Sequence, residues 1–361
     1  MYMRKMVAGV AAALLAVILA FPCYGISADK AVVLDAETGR VLFEQSADER
    51  ALIASTTKIM TALVVCEQCN VLDRMRIPNE AVGIEGSSMY LKAGEVLTIQ
   101  ELLYGLMLQS GNDAAVALAI YCGGTVEGFA ELMNDKAHQL GLKNTHFVNP
   151  SGLDAPEHYS TARDLAILAS HAMDNPIFAM TVSAKTVRVG QRNLTNHNKL
   201  LWQYPGVDGV KTGYTKKAGR ILVSSAVRDG RRITAVTIDA PDDWNDHKIL
   251  LDSGFDSYNL KQLLVKGQVV GNVEVASGKD AYVELLADED FTYPLAEDEC
   301  IQIVFPKPGF VYAPVVQGAS AGLVYICIDD IVVGTCNVVY GQTVELERQE
   351  KQSILQKIFR R

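Results

Sequence analysis

The chain of 361 residues has no low-complexity tract, no internal repeat and no surplus of basic residues. Its 33 Lys and Arg stand against 42 Asp and Glu, a formal net charge of −9. That balance excludes general nucleic-acid binding, which requires a basic face. It also leaves no strong long-range attraction to an anionic membrane, the C-terminal stretch being a local exception. Metal-ligand spacing is missing too. Cys66-Glu67-Gln68-Cys69 has the form of a redox or zinc pair, but no second ligand pair stands nearby. The pair also ends an apolar helical run, whereas a redox C-x-x-C opens a helix after a strand. Buried small hydrophobes or a local disulfide are the preferred reading, and neither cofactor nor metal is expected.

The N-terminus carries an export pattern. Arg4 and Lys5 precede an apolar run from Val7 to Phe21, Pro22 breaks it, and small residues follow at Gly25, Ser27 and Ala28. We read residues 1–28 as a secretory signal cut near Ala28. The run is short for a membrane anchor, and Phe21-Pro22 before Cys23 do not form a lipoprotein box. The expected location is the extracytoplasmic face of the plasma membrane or the cell wall. With Cys23 removed, the sequence does not choose a pairing among Cys66, Cys69, Cys122, Cys300, Cys327 and Cys336.

The remaining composition is globular, with 49% hydrophobic and 21% charged residues, and the length allows two domains. Residues 29–258 read as one of them. Ala31–Asp35 and Val41–Glu44 form an early hairpin around the Glu37–Arg40 turn. Helical patterns then run from Ser55 to Cys66, from Thr98 with a capping box to Glu101, from Ala114 to Tyr121, and from Ser160 to about Met173. From Lys185 onward strands dominate, at 186–189, 207–211, 221–227 and 233–238, followed by a closing helix from Trp244 to Tyr258. The domain is therefore α/β: an antiparallel sheet flanked by helices, with a helical block inserted between its early and late strands. Residues 259–346 show short β runs (269–275, 282–286, 300–305, 323–328, 331–339, 343–346) and read as a small all-β domain. Residues 347–361 place Ile354, Leu355, Ile358 and Phe359 on one helical face beside five basic residues and two acidic ones. An amphipathic helix on an anionic membrane surface is preferred there over a frayed tail or a helix docked on the β domain.

Three short motifs occur in order: Ser55-Thr56-Thr57-Lys58, Ser110-Gly111-Asn112 and Lys211-Thr212-Gly213. S-x-x-K alone is weak, expected ~1–2 times by chance in such a chain, and Ser27 with Lys30 also fits it. The other two are expected only ~0.1 times each. Taken singly, Ser55 reads as a helix cap, Lys58 as a solvated charge, Asn112 as a turn residue and Lys211 as a surface strand residue. As an ordered set they read as one catalytic constellation.

The chemistry is coherent. Ser55 and Lys58, three apart, share a helix face. A serine hydroxyl needs a base to take its proton, and Lys58 becomes that base if burial and a second cation lower its pKa. Lys211 is the natural second cation. A position near a helix N-terminus favours negative charge on Ser55. Ser110 suits a proton relay to a leaving amine, while Asn112 can hold a substrate amide and orient Lys58. Along Lys211-Thr212-Gly213 an acyl substrate can add as an extra strand. Gly213 permits close approach to the backbone, and Lys211 and Thr212 face a terminal carboxylate.

The ordered triplet resembles that of active-site-serine penicillin-binding proteins and β-lactamases. The stretches Gly86–Leu91, Leu108–Ala114, Gly141–Phe147 and Val207–Thr215 are similar to those of serine D-Ala-D-Ala carboxypeptidases. These are the low-molecular-mass penicillin-binding proteins related to DacA and DacF. The resemblance covers roughly Lys30 to Tyr258 and implies their transpeptidase-like fold with a β-rich C-terminal domain. It implies that Ser55 attacks the bond between two D-alanines of a peptidoglycan stem pentapeptide and that penicillin acylates the same serine. By the family pattern, backbone N–H groups of Ser55 and Tyr214 form the oxyanion hole. His197 departs from it, standing where several relatives carry an arginine that helps hold the substrate carboxylate. Tyr214 replaces a common histidine. His138, His146, His158 and His171 fit no nucleophile–base pattern and read as structural.

Three rivals stand beside the carboxypeptidase reading. A class A β-lactamase needs a deacylating Glu followed closely by Asn, and the sole Glu between Lys136 and Lys185, Glu157, has no such Asn. Slow β-lactam turnover stays open. A D,D-endopeptidase or transpeptidase differs only in the amine that leaves or attacks. A non-catalytic cell-wall-binding protein is disfavoured by the intact motifs.

Overall fold

The computed structural model describes residues 25–306 and 308–347. They form two compact units that divide between Asp256 and Ser257.

The first unit opens with strands β1 (Lys30–Asp35) and β2 (Val41–Gln45). A 3-10 turn, Ala54–Thr57, then leads directly into helix α1 (Lys58–Gln68). A small hairpin, β3 (Arg74–Arg76) and β4 (Val96–Thr98), precedes the helical block: α2 (Ile99–Leu108), α3 (Asn112–Gly123), α4 (Val126–Gln139), α5 (Ala162–Met173) and α6 (Pro176–Ser183). A second hairpin, β5 (Thr186–Val189) and β6 (Arg192–Thr195), and a single helical turn, α7 (Leu200–Gln203), follow. The late strands β7 (Val207–Thr215), β8 (Gly219–Arg228) and β9 (Arg231–Ile238) and helix α8 (Asp243–Asp256) complete it. The helices at 126–139, 176–183 and 200–203 were not anticipated from the sequence pattern.

The main sheet runs β2-β1-β9-β8-β7, antiparallel throughout. Its middle is a long-range pairing, Ala31 opposite Thr237 and Val33 opposite Ala235, so the early hairpin is completed only by the end of the unit. Alternation along the strands serves two faces. Val32, Leu34, Val223 and Val236 join the main core with α1, α2 and α5. Val33 and Ile233 face Gly254 of α8, where a Cβ would sit 3.2 Å from each. β7 is the edge strand, so one side of its backbone is free of sheet partners.

Helix α1 is apolar nearly all round: Ile59, Met60, Ala62, Leu63, Val64 and Val65 are all buried. Such a helix belongs inside a core, and α2, α3, α4 and α5 pack around it. α2 starts with the expected capping box. The Glu101 N–H donates to Thr98 Oγ1 at 3.1 Å and the Thr98 N–H to Glu101 Oε2 at 2.7 Å, a cap of about 1 kcal/mol. Cys69, next to the end of α1, is bonded to Cys122 of α3. The local Cys66–Cys69 pair is thus not formed; Cys66 is a free, half-buried thiol whose pKa burial pushes up to about 12. Ahead of β1, the Ser27 N–H and hydroxyl donate to the Asp246 carboxylate at 2.9 and 2.8 Å.

The second unit is all-β. It comprises β10 (Asn259–Leu264), β11 (Val269–Ala276), β12 (Tyr282–Ala287), β13 (Phe291–Leu295), β14 (Ile301–Val304), β15 (Phe310–Tyr312), β16 (Ser320–Ile328) and β17 (Ile331–Tyr340). Six strands make one sheet, β14-β16-β17-β12-β11-β15, and β10 pairs with β13. Val273, Val283, Leu285, Val324, Ile326 and Val338 fill its core with Cys336, which packs as a small hydrophobe. The run at 343–346 is not a strand; Val344 and Leu346 make only isolated bridges.

Candidate active site

Ser55 lies half-buried in the 3-10 turn, and Lys58 is the first residue of α1. The turn closes on itself through Thr56, whose N–H and hydroxyl both donate to the Ile53 carbonyl, at 3.1 and 2.5 Å. The three-residue spacing brings Lys58 Nζ to 2.9 Å from Ser55 Oγ. The same nitrogen lies 2.8 Å from Asn112 Oδ1 and 2.5 Å from the Ser151 carbonyl oxygen. Lys58 Nζ donates to all three oxygens, the full donor capacity of an ammonium; a deprotonated amine would keep its bonds to Asn112 and Ser151 and turn its lone pair to the serine hydroxyl hydrogen. Complete burial lowers the Lys58 pKa well below its ordinary value, the charge of Lys211 lowers it further, and Asp113 opposes both.

Lys211, on β7, is 2% exposed and donates to the Thr212 carbonyl at 2.8 Å. Burial pushes its pKa down to about 7. Gly213 follows where β7 crosses the Ser55 turn. A Cβ there would sit 3.3 Å from the Ile53 oxygen and the Thr56 nitrogen, so this glycine admits the close approach of the turn that carries Ser55.

Asn112 is aimed from both ends. Its N–H donates to Ser87 O at 2.8 Å and its Nδ2 to Glu85 O at 2.6 Å, which leaves Oδ1 for Lys58. The neighbouring Asp113 carboxylate accepts from the N–H groups of Met89 and Leu91 and from the Ser88 hydroxyl. The Gly86–Leu91 loop and the Ser110-Gly111-Asn112 turn are therefore one construction.

Sequence reasoning missed the part played by 148–158. Asn149 Oδ1 accepts from the N–H groups of Ser151 and Gly152 at 3.1 and 2.7 Å, and this turn points the Ser151 carbonyl at Lys58. Gly152 has φ +85°, and a Cβ on it would fall 1.8 Å from Ala54 O. His158 Nδ1 accepts from the Val148 N–H at 3.2 Å, so its Nε2 carries the hydrogen and donates to Thr57 Oγ1 at 2.7 Å. Burial holds its pKa down at about 4, so the ring is a neutral brace for the Ser55 turn.

Ser55, Ser110, His197, Thr212, Gly213 and Tyr214 line one cleft of about 340 Å³. His197 is exposed at its rim; desolvation of the ring and the Lys211 charge lower its pKa. The cleft has a further wall that no local motif announced. Arg220, opposite Tyr214 in the β7–β8 register, donates through Nη2 to both carboxylate oxygens of Asp243, at 2.7 and 2.9 Å. Asp243 is almost fully buried, and burial raises its pKa despite the arginine. Arg220 Nε has no hydrogen-bond partner among the described residues. The Arg220 guanidinium and Lys199 Nζ lie 5.8 and 6.0 Å from the Trp244 ring centre. This end of the cleft thus carries two basic side chains, Arg220 and Lys199, against one acid, a seat for an anion.

The sequence profile described as D-alanyl-D-alanine carboxypeptidase matches residues 19–242. The chain belongs to that family. A second profile, the penicillin-binding protein 5 C-terminal domain, matches residues 258–346. D-alanyl-D-alanine carboxypeptidase DacF of Bacillus subtilis is 35% identical over 311 residues, 82% of this chain and 80% of DacF. Penicillin binding protein 5 from Haemophilus influenzae has a similar structure, with a TM-score of 0.77 and 31% identity over 89% of this chain and 98% of that one. A mutant of a Streptomyces DD-transpeptidase matches with a TM-score of 0.63 and 34% identity, covering 64% of this chain and 99% of its own. The carboxypeptidase family fold expected from the motifs is the fold found, including its C-terminal β domain.

Proposed function

We propose that this carboxypeptidase family member is a serine enzyme that removes the terminal D-alanine from peptidoglycan stem pentapeptides. Ser55 Oγ attacks the carbonyl between the two D-alanines while Lys58 takes its proton. Backbone N–H groups of Ser55 and Tyr214 meet the developing oxyanion. The proton passes through Ser110 to the leaving amine, the C–N bond breaks, and D-alanine departs. Water then hydrolyses the ester on Ser55. Lys211, Thr212 and His197 seat the terminal carboxylate, and Arg220 supplies the guanidinium that His197 does not. Penicillin enters the same site and acylates Ser55.

The observation that carries this reading is the buried Lys58 amine 2.9 Å from Ser55 Oγ, with a second buried lysine in the same site. Glu157 is exposed and no glutamate among the described residues lines the cleft, which speaks against fast deacylation of a β-lactam. Export supplies access to peptidoglycan, and the Ser27 bonds to Asp246 favour a cut before Ser27 over the one after residue 28 read from the sequence. The membrane-surface tail lies outside the described residues beyond Glu347, and its sequence pattern alone supports it.

The test is D-alanine release from diacetyl-Lys-D-Ala-D-Ala, with Ser55→Ala beside the parent and fluorescent penicillin as a second readout. Release and labelling by the parent alone are expected. Release by both proteins removes Ser55 as nucleophile, while labelling without release moves the substrate to a cross-linked peptide. Silence in both assays turns the reading to a wall-binding protein. Deleting residues 349–361 should free the protein from membrane pellets, and unchanged pelleting would defeat the tail assignment.

A further inference from the structure

The chain has two tryptophans, and each borders a different cavity. Trp244 lines the Ser55 cleft; Trp202 lines a separate groove of about 440 Å³ that shares no lining residue with it. Half of the Trp202 surface is exposed (50%). Lys185 Nζ stands 5.9 Å from its ring centre and has no carboxylate partner among the described residues. The Gln203 amide and the Trp202 indole N–H make no hydrogen bond among the described residues either. By contrast, the other polar groups of the groove are committed. Tyr204 donates its hydroxyl to Asp252 at 2.6 Å, and Asp208 accepts from Arg232 at 2.8 Å.

The open groups are thus one flat apolar face, an ammonium, an amide and an indole donor at its edge. A single exposed tryptophan is ordinary, but one walling a concave site, with a lysine over its ring and three polar groups that make no hydrogen bond among the described residues, has the composition of a ligand site. The groove has no second aromatic free to sandwich a base, and the negative chain repels polyanions. A pyranose fits: its C–H face lies on the indole while hydroxyl and acetamido groups reach Gln203, the indole N–H and Lys185. Val207 and Asp208 at the groove open β7, whose Thr212 and Gly213 line the cleft, roughly 15 Å further along the same strand at about 3.4 Å per residue.

We propose that the Trp202 groove is a saccharide subsite that takes an amino-sugar segment of the glycan from which stem peptides hang. The proposal rests on the peptidoglycan reading for its substrate, though not on the assignment of any catalytic residue. It makes the enzyme prefer peptides on glycan strands to free peptides.

Two measurements test it. In Trp244→Phe protein acylated by penicillin, Trp202 is the sole tryptophan emitter and the cleft is blocked. Chitotetraose should then change the emission saturably, and Gln203→Ala should weaken that binding by ~10-fold. An emission that does not respond, or a response untouched by Gln203→Ala, overturns the subsite. The second measurement compares Trp202→Ala with the parent on uncross-linked glycan strands bearing pentapeptides and on diacetyl-Lys-D-Ala-D-Ala. A ~10-fold loss on the strands alone is expected. Equal rates on both substrates, or equal loss on both, would reject the proposal. Failure of the catalytic reading shows separately, as no release from the short peptide by the parent.

Discussion

Lys58 and Lys211 are two fully buried amines that serve one cleft, and each has its pKa driven down by the low-dielectric surroundings. Protonating both is costly, since the charge of Lys211 adds to the desolvation of Lys58. This coupling suits the proposed roles, Lys58 as the base and Lys211 as the positive charge.

The acid limb of acylation should follow this coupling. On the proposed mechanism acylation by penicillin requires neutral Lys58, so its rate should fall as pH drops through the depressed Lys58 pKa. Removing the Lys211 charge lets the Lys58 pKa climb back toward its ordinary value. In Lys211→Gln the acid limb should accordingly move to higher pH, beyond the general loss of rate. Second-order acylation constants measured across pH decide this, and a limb that stays in place would show that Lys211 does not tune Lys58.

Stability carries the opposite mark. An unfolded Lys211 titrates near its ordinary 10.5, and the folded one near 7. Between those values the unfolded chain holds more protons, so stability rises with pH across that window and the full penalty applies below about 7. Lys211→Met should therefore raise the melting temperature at neutral pH, by about 2–4 °C per kcal/mol recovered, while abolishing activity. Thermal melts at neutral and at alkaline pH test the sign: the gain should shrink as pH rises toward 10.5. A variant that melts lower at neutral pH would mean that Lys211 supports the fold.

The sequence told unequal amounts about the two halves of this site. Ser55, Lys58, Asn112 and Lys211 were legible because their side-chain chemistry and spacing are local properties. The Ser151 carbonyl was not, because every residue has one and only the Asn149 turn aims it. Arg220 was missed for a different reason: it enters the cleft wall through its register with Tyr214 and its bond to Asp243. The same non-local pairing hid the join of β1 to β9 and the Cys69–Cys122 link. Local periodicity found the strands and not their neighbours.

Arg220 should act on carboxylate recognition. Its loss removes charge-assisted bonds worth about 1.5–3 kcal/mol, or roughly 10–100-fold in kcat/KM. Replacing Arg220 alone strands the buried Asp243 carboxylate, so the informative protein is the double variant Arg220→Gln with Asp243→Asn. It should lose most of its preference for a peptide ending in a free carboxylate over the same peptide ending in an amide. Activity on the two peptides that falls equally would assign Arg220 to the fold rather than to the substrate.

Gly152 and Gly141 separate geometry at Ser55 from backbone strain. Both have positive φ, +85° and +69°, so an alanine at either is strained by about 1–2 kcal/mol. Around Gly141 a new Cβ meets nothing within 4 Å, whereas at Gly152 it would fall 1.8 Å from Ala54 O and 2.8 Å from Thr57 Oγ1. Those atoms belong to the turn that carries Ser55 and to the Thr57–His158 brace. Gly152→Ala must push the turn away from the Ser151 carbonyl or break the brace. A displacement near 1 Å at reacting atoms costs about 100-fold. Gly141→Ala should lower the melting temperature and leave penicillin acylation near the parent rate. Gly152→Ala should lower both, with acylation down by about 100-fold. Should the two variants acylate alike at matched stability, the 149–152 turn has no part in positioning Ser55 and Lys58.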